Sequence, residues 1–564
     1  MSSAFDASAV FSRHSRRTFL ARSSAVLASG ILSRTAAAAR PLAKIVAVPA
    51  RSTRAVGSFV PPVMDPAIMR MLARTAIDAA VHVGAQYADI RIGDQRQFFS
   101  EGFIRGSWLS LTYGYGLRVQ VDGASAFVGG ADPTPDRLAA AARSAVATAK
   151  GMAKIMGPTA PVIAVPVVTG EWNTPIEIDP FAVSPDDHLF VYAGYGRIEG
   201  PINERSRLCT GVDIGVRWTA ETRVFASSDG SLATQRLARA LPTLSARAFT
   251  GWPDPPGCIL DLALVPPSSA GFEMLLGTRL HERIEQSMEE IATWMRYPVI
   301  DAEVGRKPVV FDGQSFGSVV GETIAPALSL ARVLGEEQDG AGVSFLEPPE
   351  AILGEPLFSP QLNVSTMTGR TQFGCMQWDD EGVLARTCPL IERGAVVDYL
   401  TTRSDIRTLE QWYAKRNLPL RPQGTVWADD VSIPSRAISS AVAVGAAPDG
   451  PSLAELVKSL KDGVLVRSST TVPDHQCSGG TIFPDVAFEV RNGNITRRLG
   501  NFRLEFSTRT LLKNVVAIGG ASTAETKAHN LYGGTPVTST SQAIDAPAAQ
   551  IRDVNIVSNV RRMS

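Results

Sequence analysis

The chain has 564 residues, of which 45% are hydrophobic and 20% are charged. This length exceeds what a single hydrophobic core supports, so two or more domains are expected. Lysine plus arginine and aspartate plus glutamate both number 55. Without a net positive charge the chain lacks the electrostatic basis for binding nucleic acid, and that class of function is disfavoured.

The N-terminal segment has the order of a cleavable export signal. Residues 15–20 read SRRTFL, an apolar stretch follows at 25–32, and four alanines occupy 36–39. This order predicts a twin-arginine signal peptide over residues 1–39, followed by a linker over 40–64. We therefore expect an exported protein, periplasmic or otherwise extracytoplasmic. No segment reaches the roughly 18 apolar residues of a membrane-spanning helix, so no integral membrane span is expected.

Residues 65–298 have the pattern of an N-terminal α/β region. Apolar positions at helical spacing predict a helix over 66–83, and strict alternation over 87–92 predicts a strand. Further strand-like runs lead to an alanine-rich helix over 138–152. A charged helix over 275–295 is expected to connect this region to the rest of the chain.

Residues 299–564 have a different pattern, in which short strands, turns and glycine-rich loops dominate. Helices are expected mainly at 314–334 and 452–460. An N-terminal α/β region followed by a mostly β C-terminal domain predicts an α+β fold.

Several common functional motifs are missing from the sequence. It contains neither the G-x-G-x-x-G nor the G-x-x-x-x-G-K-[ST] loop of nucleotide-binding proteins. The acidic tripeptide Asp379-Asp380-Glu381 offers too few oxygens for calcium and is predicted to be a solvated turn. The five cysteines are too widely spaced for a disulfide scaffold or a C-x-x-C zinc site, although one or two bridges remain open: Cys209, Cys258, Cys375, Cys388 and Cys477.

Seven different short segments follow one another along the chain in an order that can be compared with known families. They are YADIR at 87–91, GLRVQVDG at 116–123, DDEGV at 379–383, LIERG at 390–394, LTTR at 400–403, FEVRNG at 488–493 and AIGG at 517–520. Together they resemble the TldD/PmbA family, also called modulators of DNA gyrase. That family comprises metallopeptidases and their metal-less partner subunits.

The resemblance implies a zinc site on a helix that carries His-Glu-x-x-x-His, completed by a cysteine near the C-terminus. Two imidazoles and a thiolate leave one position for water, and the glutamate takes its proton. The segment PVVFD at 308–312 sets the register, and counting forward places the motif on residues 321–326, GETIAP. Glu322 is kept at the position of the general base, whereas Gly321 and Pro326 have no ligand atoms.

Three other residues are candidates for a rearranged zinc site. His529 stands nearest to the family's cysteine position, in the segment 529–534. His475 and Cys477 lie on one side of an extended segment. Together with Glu322 they would supply enough ligands for zinc, but the sequence does not show that they meet. If they do not, no cofactor is expected.

The resemblance leaves three functional hypotheses. The leading one is a subunit with a degenerate zinc site, which pairs with a motif-bearing TldD-like subunit or forms a homo-oligomer and helps to bind an unstructured peptide substrate for proteolysis. The first alternative is an active metallopeptidase with rearranged ligands. The second is an exported peptide-binding protein without enzymatic activity.

Overall fold

The structure is a computed structural model. It describes residues 64–101, 106–156, 161–183, 198–201, 207–250, 259–261, 265–276 and 280–559. The predicted signal peptide and residues 40–63 of the predicted linker lie outside the described residues. Among the helices that are described, none is long and apolar enough to cross a membrane. The predicted α+β class is confirmed by the mixture of helices and strands given below.

An eight-stranded sheet forms the framework of the N-terminal part. Its strands run in the order β3-β2-β1-β6-β7-β4, with β5 paired to β6 and β8 paired to β7. The elements of this part are α1 (Pro66–His82), β1 (Tyr87–Glu101), β2 (Gly106–Val121), β3 (Ala124–Ala131), α2 (Pro135–Met156), β4 (Thr169–Asn173), β5 (Ile198–Pro201), β6 (Arg207–Ser227), β7 (Leu232–Thr250), β8 (Ile259–Asp261), α3 (Glu273–Leu276) and α4 (Leu280–Trp294).

Helix α1 illustrates how local sequence determines these elements. The Asp65 carboxylate accepts a hydrogen bond from the Ala67 amide at 2.8 Å, and Pro66 occupies the first helical position, where no amide hydrogen is needed. Apolar residues spaced three and four apart then form one buried face against α2 and the sheet: Met69, Leu72, Ala73, Ala76, Ile77 and Ala80.

Two further sheets form most of the C-terminal part. One has the order β17-β10-β24-β20-β18-β19-β9, with β21 paired to β24; because β17 also pairs with β18, five of its strands form a closed ring. The other has the order β13-β12-β11-β16-β23-β22, and β14 pairs with β15 separately.

The C-terminal elements follow in chain order. They are β9 (Val299–Asp301), β10 (Gly305–Phe311), α5 (Gly313–Ala327), α6 (Leu330–Val333), α7 (Pro349–Ile352), β11 (Val364–Thr366), β12 (Pro389–Glu392), β13 (Ala395–Val396), a 3-10 turn (Asp405–Leu409), α8 (Glu410–Lys415), β14 (Val426–Trp427), β15 (Arg436–Ala437), β16 (Ala441–Val444), α9 (Leu453–Leu460), β17 (Gly463–Pro473), β18 (Gly479–Arg491), β19 (Asn494–Gly500), β20 (Phe502–Ser507), α10 (Thr508–Lys513), β21 (Val515–Ile518), β22 (Glu525–Gly533), β23 (Thr538–Ala546) and β24 (Ala549–Ser558).

Helix α5 is the buried helix on which the candidate site lies. It begins at Asp312, whose carboxylate accepts a hydrogen bond from the Ser315 amide at 2.8 Å. The sequence predicts one helix over 314–334, but the structure has α5 and a separate short helix, α6. Pro326 explains the division, because it cannot donate a hydrogen bond to the Glu322 carbonyl and so weakens the last turn.

The acidic tripeptide 379–381 is buried, so its prediction as a solvated turn is wrong. Asp380 forms ion pairs with Arg91 at 2.7 Å and with Arg223 at 2.6 Å. Arg223 also pairs with Glu221 at 2.6 Å. These arginines come from the N-terminal sheet, so the tripeptide joins the two parts of the chain.

Glu381 and Asp379 complete this junction. Glu381 pairs with Arg118 of β2 and accepts a hydrogen bond from the Arg403 amide at 2.6 Å. Asp379 instead accepts backbone hydrogen bonds from Glu381, Val383 and Val426 at 2.9 to 3.0 Å, which fixes the turn itself. The sequence alone could not reveal this, because the arginines lie more than 150 residues away.

Glycines on the neighbouring strands β2 and β3 leave room for the backbone of residues 431–432. A Cβ atom on Gly116 would clash with the Val431 carbonyl oxygen, and one on Gly129 would clash with the Ser432 carbonyl oxygen. Gly116 lies opposite Gly129 in the sheet register. Only residues without a side chain permit backbone to approach this closely.

Hydrophobic packing also connects the two parts. One buried cluster contains Phe98 and Trp218 from the first sheet together with Leu465 and Phe488 from the second. All described residues fall within one compact unit, Ala50–Ser564. A domain boundary between residues 298 and 299 stays a prediction.

Candidate functional site

Strand β22 lies along helix α5, and three of its alternate residues meet that helix or its neighbour β17. At the start of α5 the Glu525 carboxylate accepts a hydrogen bond from the Gln314 amide at 3.1 Å. Two residues on, the Lys527 ammonium donates to the Ser469 carbonyl of β17 at 2.7 Å. A further two residues on, the imidazole of His529 reaches Gly321.

The contact between Gly321 and His529 defines the centre of the site. A Cβ atom built on Gly321 would clash with Cε1 of His529, and it would lie 3.1 Å from Nε2 of that ring and 2.8 Å from Cγ1 of Ile544. The imidazole therefore occupies the space into which a side chain at position 321 would project. The two positions singled out by the sequence lie in direct contact.

The imidazole of His529 is held in its neutral form. Both ring nitrogens are inaccessible to solvent, and neither has a hydrogen-bond partner among the described residues. Burial lowers the pKa of His529 to about 4, and the nearby Lys527 acts in the same direction. Gln542, its cross-strand neighbour, opposes this shift weakly.

Glu322, next to Gly321 on α5, carries the carboxylate of the site. The residue is half-buried, and within the described ranges its carboxylate has no hydrogen bond and no ion pair. Burial raises the pKa of Glu322 to about 7, although Lys527 lowers it in part. A carboxyl group with this pKa changes its protonation state near neutral pH.

Cys477 and His475 lie on the segment between β17 and β18. The Cys477 side chain is buried, and burial raises the pKa of its thiol to about 11. His475 is exposed, and it is the backbone carbonyl of His475 that makes contacts, accepting from the Val343 amide at 2.9 Å and from Arg332 at 3.2 Å.

The structure does not assemble these predicted ligands into one cluster. Across the part of the chain that is described, no group of three or more His, Cys, Asp and Glu side chains has an arrangement that could hold a metal ion. His529 and Glu322 flank Gly321 on the candidate helix, whereas the His475 side chain faces solvent.

Buried hydroxyl groups near α5 were missed by the sequence reasoning. Ser315 on α5 and Ser469 and Thr471 on β17 have buried side-chain oxygens without a hydrogen-bond partner in the described structure. Unpartnered buried polar atoms commonly mark a place for water or ligand. The run SSTT at 468–471, which is unusually polar for a buried strand, is the sequence feature that could have indicated these hydroxyl groups.

Strand β22 is also the edge of the six-stranded sheet. On β23 the Ser541 amide donates to Asp429 and the Ala543 amide donates to Ser440, so these odd-numbered residues face away from β22. By the alternation of antiparallel pairs, the backbone groups of their partners on β22 also point away from β23. These partners are Thr526, Ala528, Asn530 and Tyr532.

Comparisons with known proteins identify a matching family model and solved structures with a similar fold. Residues 304–558 match the family model of the PmbA/TldA metallopeptidase C-terminal domain. A search of curated protein sequences found no significant match.

Three crystal structures share the fold. TldE from Thermococcus kodakarensis has 16% identity and a TM-score of 0.61, over 86% of this chain and 100% of that chain. A candidate modulator of a DNA gyrase from Thermotoga maritima has 12% identity and a TM-score of 0.60, over 87% and 100%. A candidate modulator of DNA gyrase from Bacteroides thetaiotaomicron has 14% identity and a TM-score of 0.59, over 87% and 98%.

Proposed function

Because the C-terminal part of the chain, residues 304–558, belongs to the TldD/PmbA family, we propose that this protein is a peptide-binding subunit of such a peptidase assembly and that its own zinc site is degenerate. A motif-bearing subunit supplies the cleavage of the peptide. The twin-arginine segment at residues 15–20 supports an extracytoplasmic location for this assembly.

The observation that carries this proposal is the contact between Gly321 and His529. The family's site needs two imidazoles from the helix and a thiolate, but here the helix supplies none and a single imidazole fills the space beside it. Cys477 does not replace the thiolate, since within the described residues it joins no group of three or more possible ligands that could hold a metal ion. The residues present do not fit a zinc ion held in the family's manner.

The edge of β22 supports the peptide-binding part of the proposal. Among the described residues, the outward backbone groups of Thr526, Ala528, Asn530 and Tyr532 have no backbone partner, and an extended peptide can add to such an edge as a further strand. Glu322 contributes as a polar contact rather than as a general base. At its pKa of about 7, the carboxyl group can either donate a hydrogen bond to a peptide carbonyl or accept one from an amide.

Elemental analysis tests the zinc part of the proposal. The full chain is saturated with zinc, dialysed and analysed by mass spectrometry, alongside a peptidase assay with an unstructured peptide. We expect no stoichiometric zinc and no cleavage. Zinc that is bound in the parent, is lost in His529→Ala and is kept in His82→Ala would instead establish an active metallopeptidase with rearranged ligands. His82 is an exposed histidine at the end of α1 and serves as the control.

Co-expression tests the partner. A family member that carries His-Glu-x-x-x-His is produced with this chain, and the two are separated by size. We expect co-elution and cleavage of peptide by the complex. Separate elution, combined with binding of a peptide by this chain alone, would instead support a stand-alone peptide-binding protein.

A further inference from the structure

A second strand edge lies at the end of the first sheet. Among the described strands, β4 pairs with β7 alone and forms the edge of that sheet. A cavity of about 410 Å³ lies along β4; Thr169–Trp172 form one wall, and residues of the segment 368–378 form the other. Cavities of this size accommodate ligand side chains.

Two hydrogen bonds determine which backbone groups of β4 are free. The Leu232 amide donates to the Val168 carbonyl, and the Thr174 amide donates to the Arg236 carbonyl, both at 2.9 Å. In a parallel pair the residues that bond to the neighbour alternate, so even-numbered residues face β7. The amides and carbonyls of Thr169, Glu171 and Asn173 therefore point outward, and none has a backbone partner in the described ranges.

The side chains around this edge favour an apolar group. Gly170 leaves open space, since a Cβ atom there would meet no atom within 4 Å. Trp172 and Trp378 both line the cavity and are half-buried. Aromatic side chains of this kind are common anchors in peptide recognition.

Several hydrogen bonds fix the wall opposite β4: the Cys375 amide donates to Ser269 Oγ at 3.3 Å, and the Ser269 amide donates to the Thr371 carbonyl at 3.0 Å. Gln235 of β7 accepts hydrogen bonds from the Gln377 and Trp378 amides at 2.8 and 3.1 Å, and it donates to the Trp378 carbonyl at 2.8 Å. The cavity is therefore bounded by a strand edge and by a fixed segment. Little of the binding free energy is then needed to reorganise the protein.

The charges at the cavity favour a carboxylate. Glu171 is already paired with Arg70 at 2.8 Å and lies 3.8 Å from Arg236. Arg370 is exposed and lines the cavity, and its guanidinium has no ion pair with any described residue. It is therefore available to an incoming acidic group.

We propose that the free edge of β4 is a docking site for an extended peptide that carries an apolar side chain and a carboxylate. The peptide pairs with Thr169, Glu171 and Asn173 as an added strand. Its apolar side chain lies over Gly170 beside the tryptophans, and its carboxylate meets Arg370. This site is separate from the edge of β22 and does not depend on the proposed function.

Fluorescence anisotropy with the full chain tests the site. The probe is the fluorescein-labelled peptide Thr-Val-Phe-Val-Glu, and the control peptide carries N-methyl groups on alternate amides. We expect binding of the probe and about tenfold weaker binding of the control, because each lost backbone hydrogen bond costs about 1 kcal/mol. Equal binding of both peptides, or no binding of the probe, would overturn the proposal.

Two pairs of variants locate the binding. Asn173→Pro removes one outward amide without disturbing the bonds to β7, so it should weaken binding about fivefold, whereas Asn173→Ser keeps the amide and should not. Asn530→Pro on β22 removes the contribution of the β22 edge, and in that background Asn173→Pro should still weaken binding of the probe relative to Asn173→Ser. Weakening by Asn530→Pro instead of Asn173→Pro would place the probe on β22 and refute the β4 site. Dimerisation that Asn173→Pro abolishes would show that a second copy, not a peptide, occupies the edge.

Discussion

Replacing Asp380 by asparagine is expected to destabilise the protein strongly. The substitution keeps the shape of the side chain but removes the negative charge that faces Arg91 and Arg223. The exposed fractions of these three side chains are 1%, 4% and 2%. Two buried guanidinium groups would lose a counter-charge that water cannot replace.

The size of the expected loss in stability follows from the contacts that Arg223 and Arg91 keep after the substitution. Arg223 keeps its pair with Glu221 at 2.6 Å and its stacking on Trp427, 3.6 Å from the ring centroid. Arg91 keeps a bond to the Ile433 carbonyl at 3.0 Å but loses its ion pair with Asp380. Removing one partner of a buried pair costs about 3–5 kcal/mol, so we expect a loss of about 4 kcal/mol in the free energy of unfolding.

Urea denaturation measures this loss. Tryptophan fluorescence is followed, and Trp427, stacked on Arg223, reports locally on the junction. With a slope of about 3 kcal/mol per molar urea or more, the midpoint should fall by about 1 M. Asp430→Asn is the matched control, since Asp430 is exposed and, among the described residues, its carboxylate bonds to Ser432 alone. A change below about 1 kcal/mol for Asp380→Asn, at an unchanged slope, would refute the view that this carboxylate joins the two parts.

Three further predictions concern close packing and protonation. Gly321→Ala should destabilise the protein by about 1–3 kcal/mol in thermal unfolding, because the added methyl group meets His529. The additional change His529→Ala should recover part of the lost stability, and no recovery would contradict the contact. Glu322→Gln should stabilise the protein at pH 8 by about 3 kcal/mol more than at pH 4, because the raised pKa of Glu322 makes the native state lose stability as pH rises from about 4.5 to about 7. Equal effects of the substitution at both pH values would contradict this assignment. Gly129→Ala should push on the Ser432 backbone and so accelerate proteolysis of the protein. Gly151→Ala on α2 is the control, because a methyl group there meets no atom within 4 Å. Equal digestion rates of the two variants would contradict the close approach of Ser432 to Gly129.

Elements set by neighbouring residues could be predicted from the sequence. The helix predicted at 66–83 is observed as Pro66–His82, and the one predicted at 452–460 is observed as Leu453–Leu460. The second begins with a capping box, in which Ser452 and Glu455 exchange hydrogen bonds across three residues. Such signals are complete within one turn of helix, so no distant residue is needed to interpret them.

Elements whose conformation depends on distant residues could not be predicted from the sequence. The tripeptide 379–381 is hydrophilic and has the composition of a turn, and only its remote arginines make it a buried junction. For the candidate site, counting along the motif identified Gly321 and Glu322, but the position of the His529 ring depends on how β22 packs on α5. The free edges of β4 and β22 likewise depend on which strands fail to find a neighbour, which no local pattern specifies.

The junction at the tripeptide has a consequence for how the chain is synthesised. Arg91, Arg118 and Arg223 precede their carboxylate partners by 289, 263 and 157 residues. At about 5–20 residues per second, the ribosome delivers Asp380 and Glu381 roughly ten seconds to one minute after these arginines. In that time the nascent first sheet can form its hairpins and the pairs of Arg223 with Glu221 and of Arg118 with Asp89, but Arg91 still lacks Asp380. Closure of the junction therefore waits for the ribosome to deliver the tripeptide, and a chain stalled before that point would expose Arg91 without its carboxylate partner.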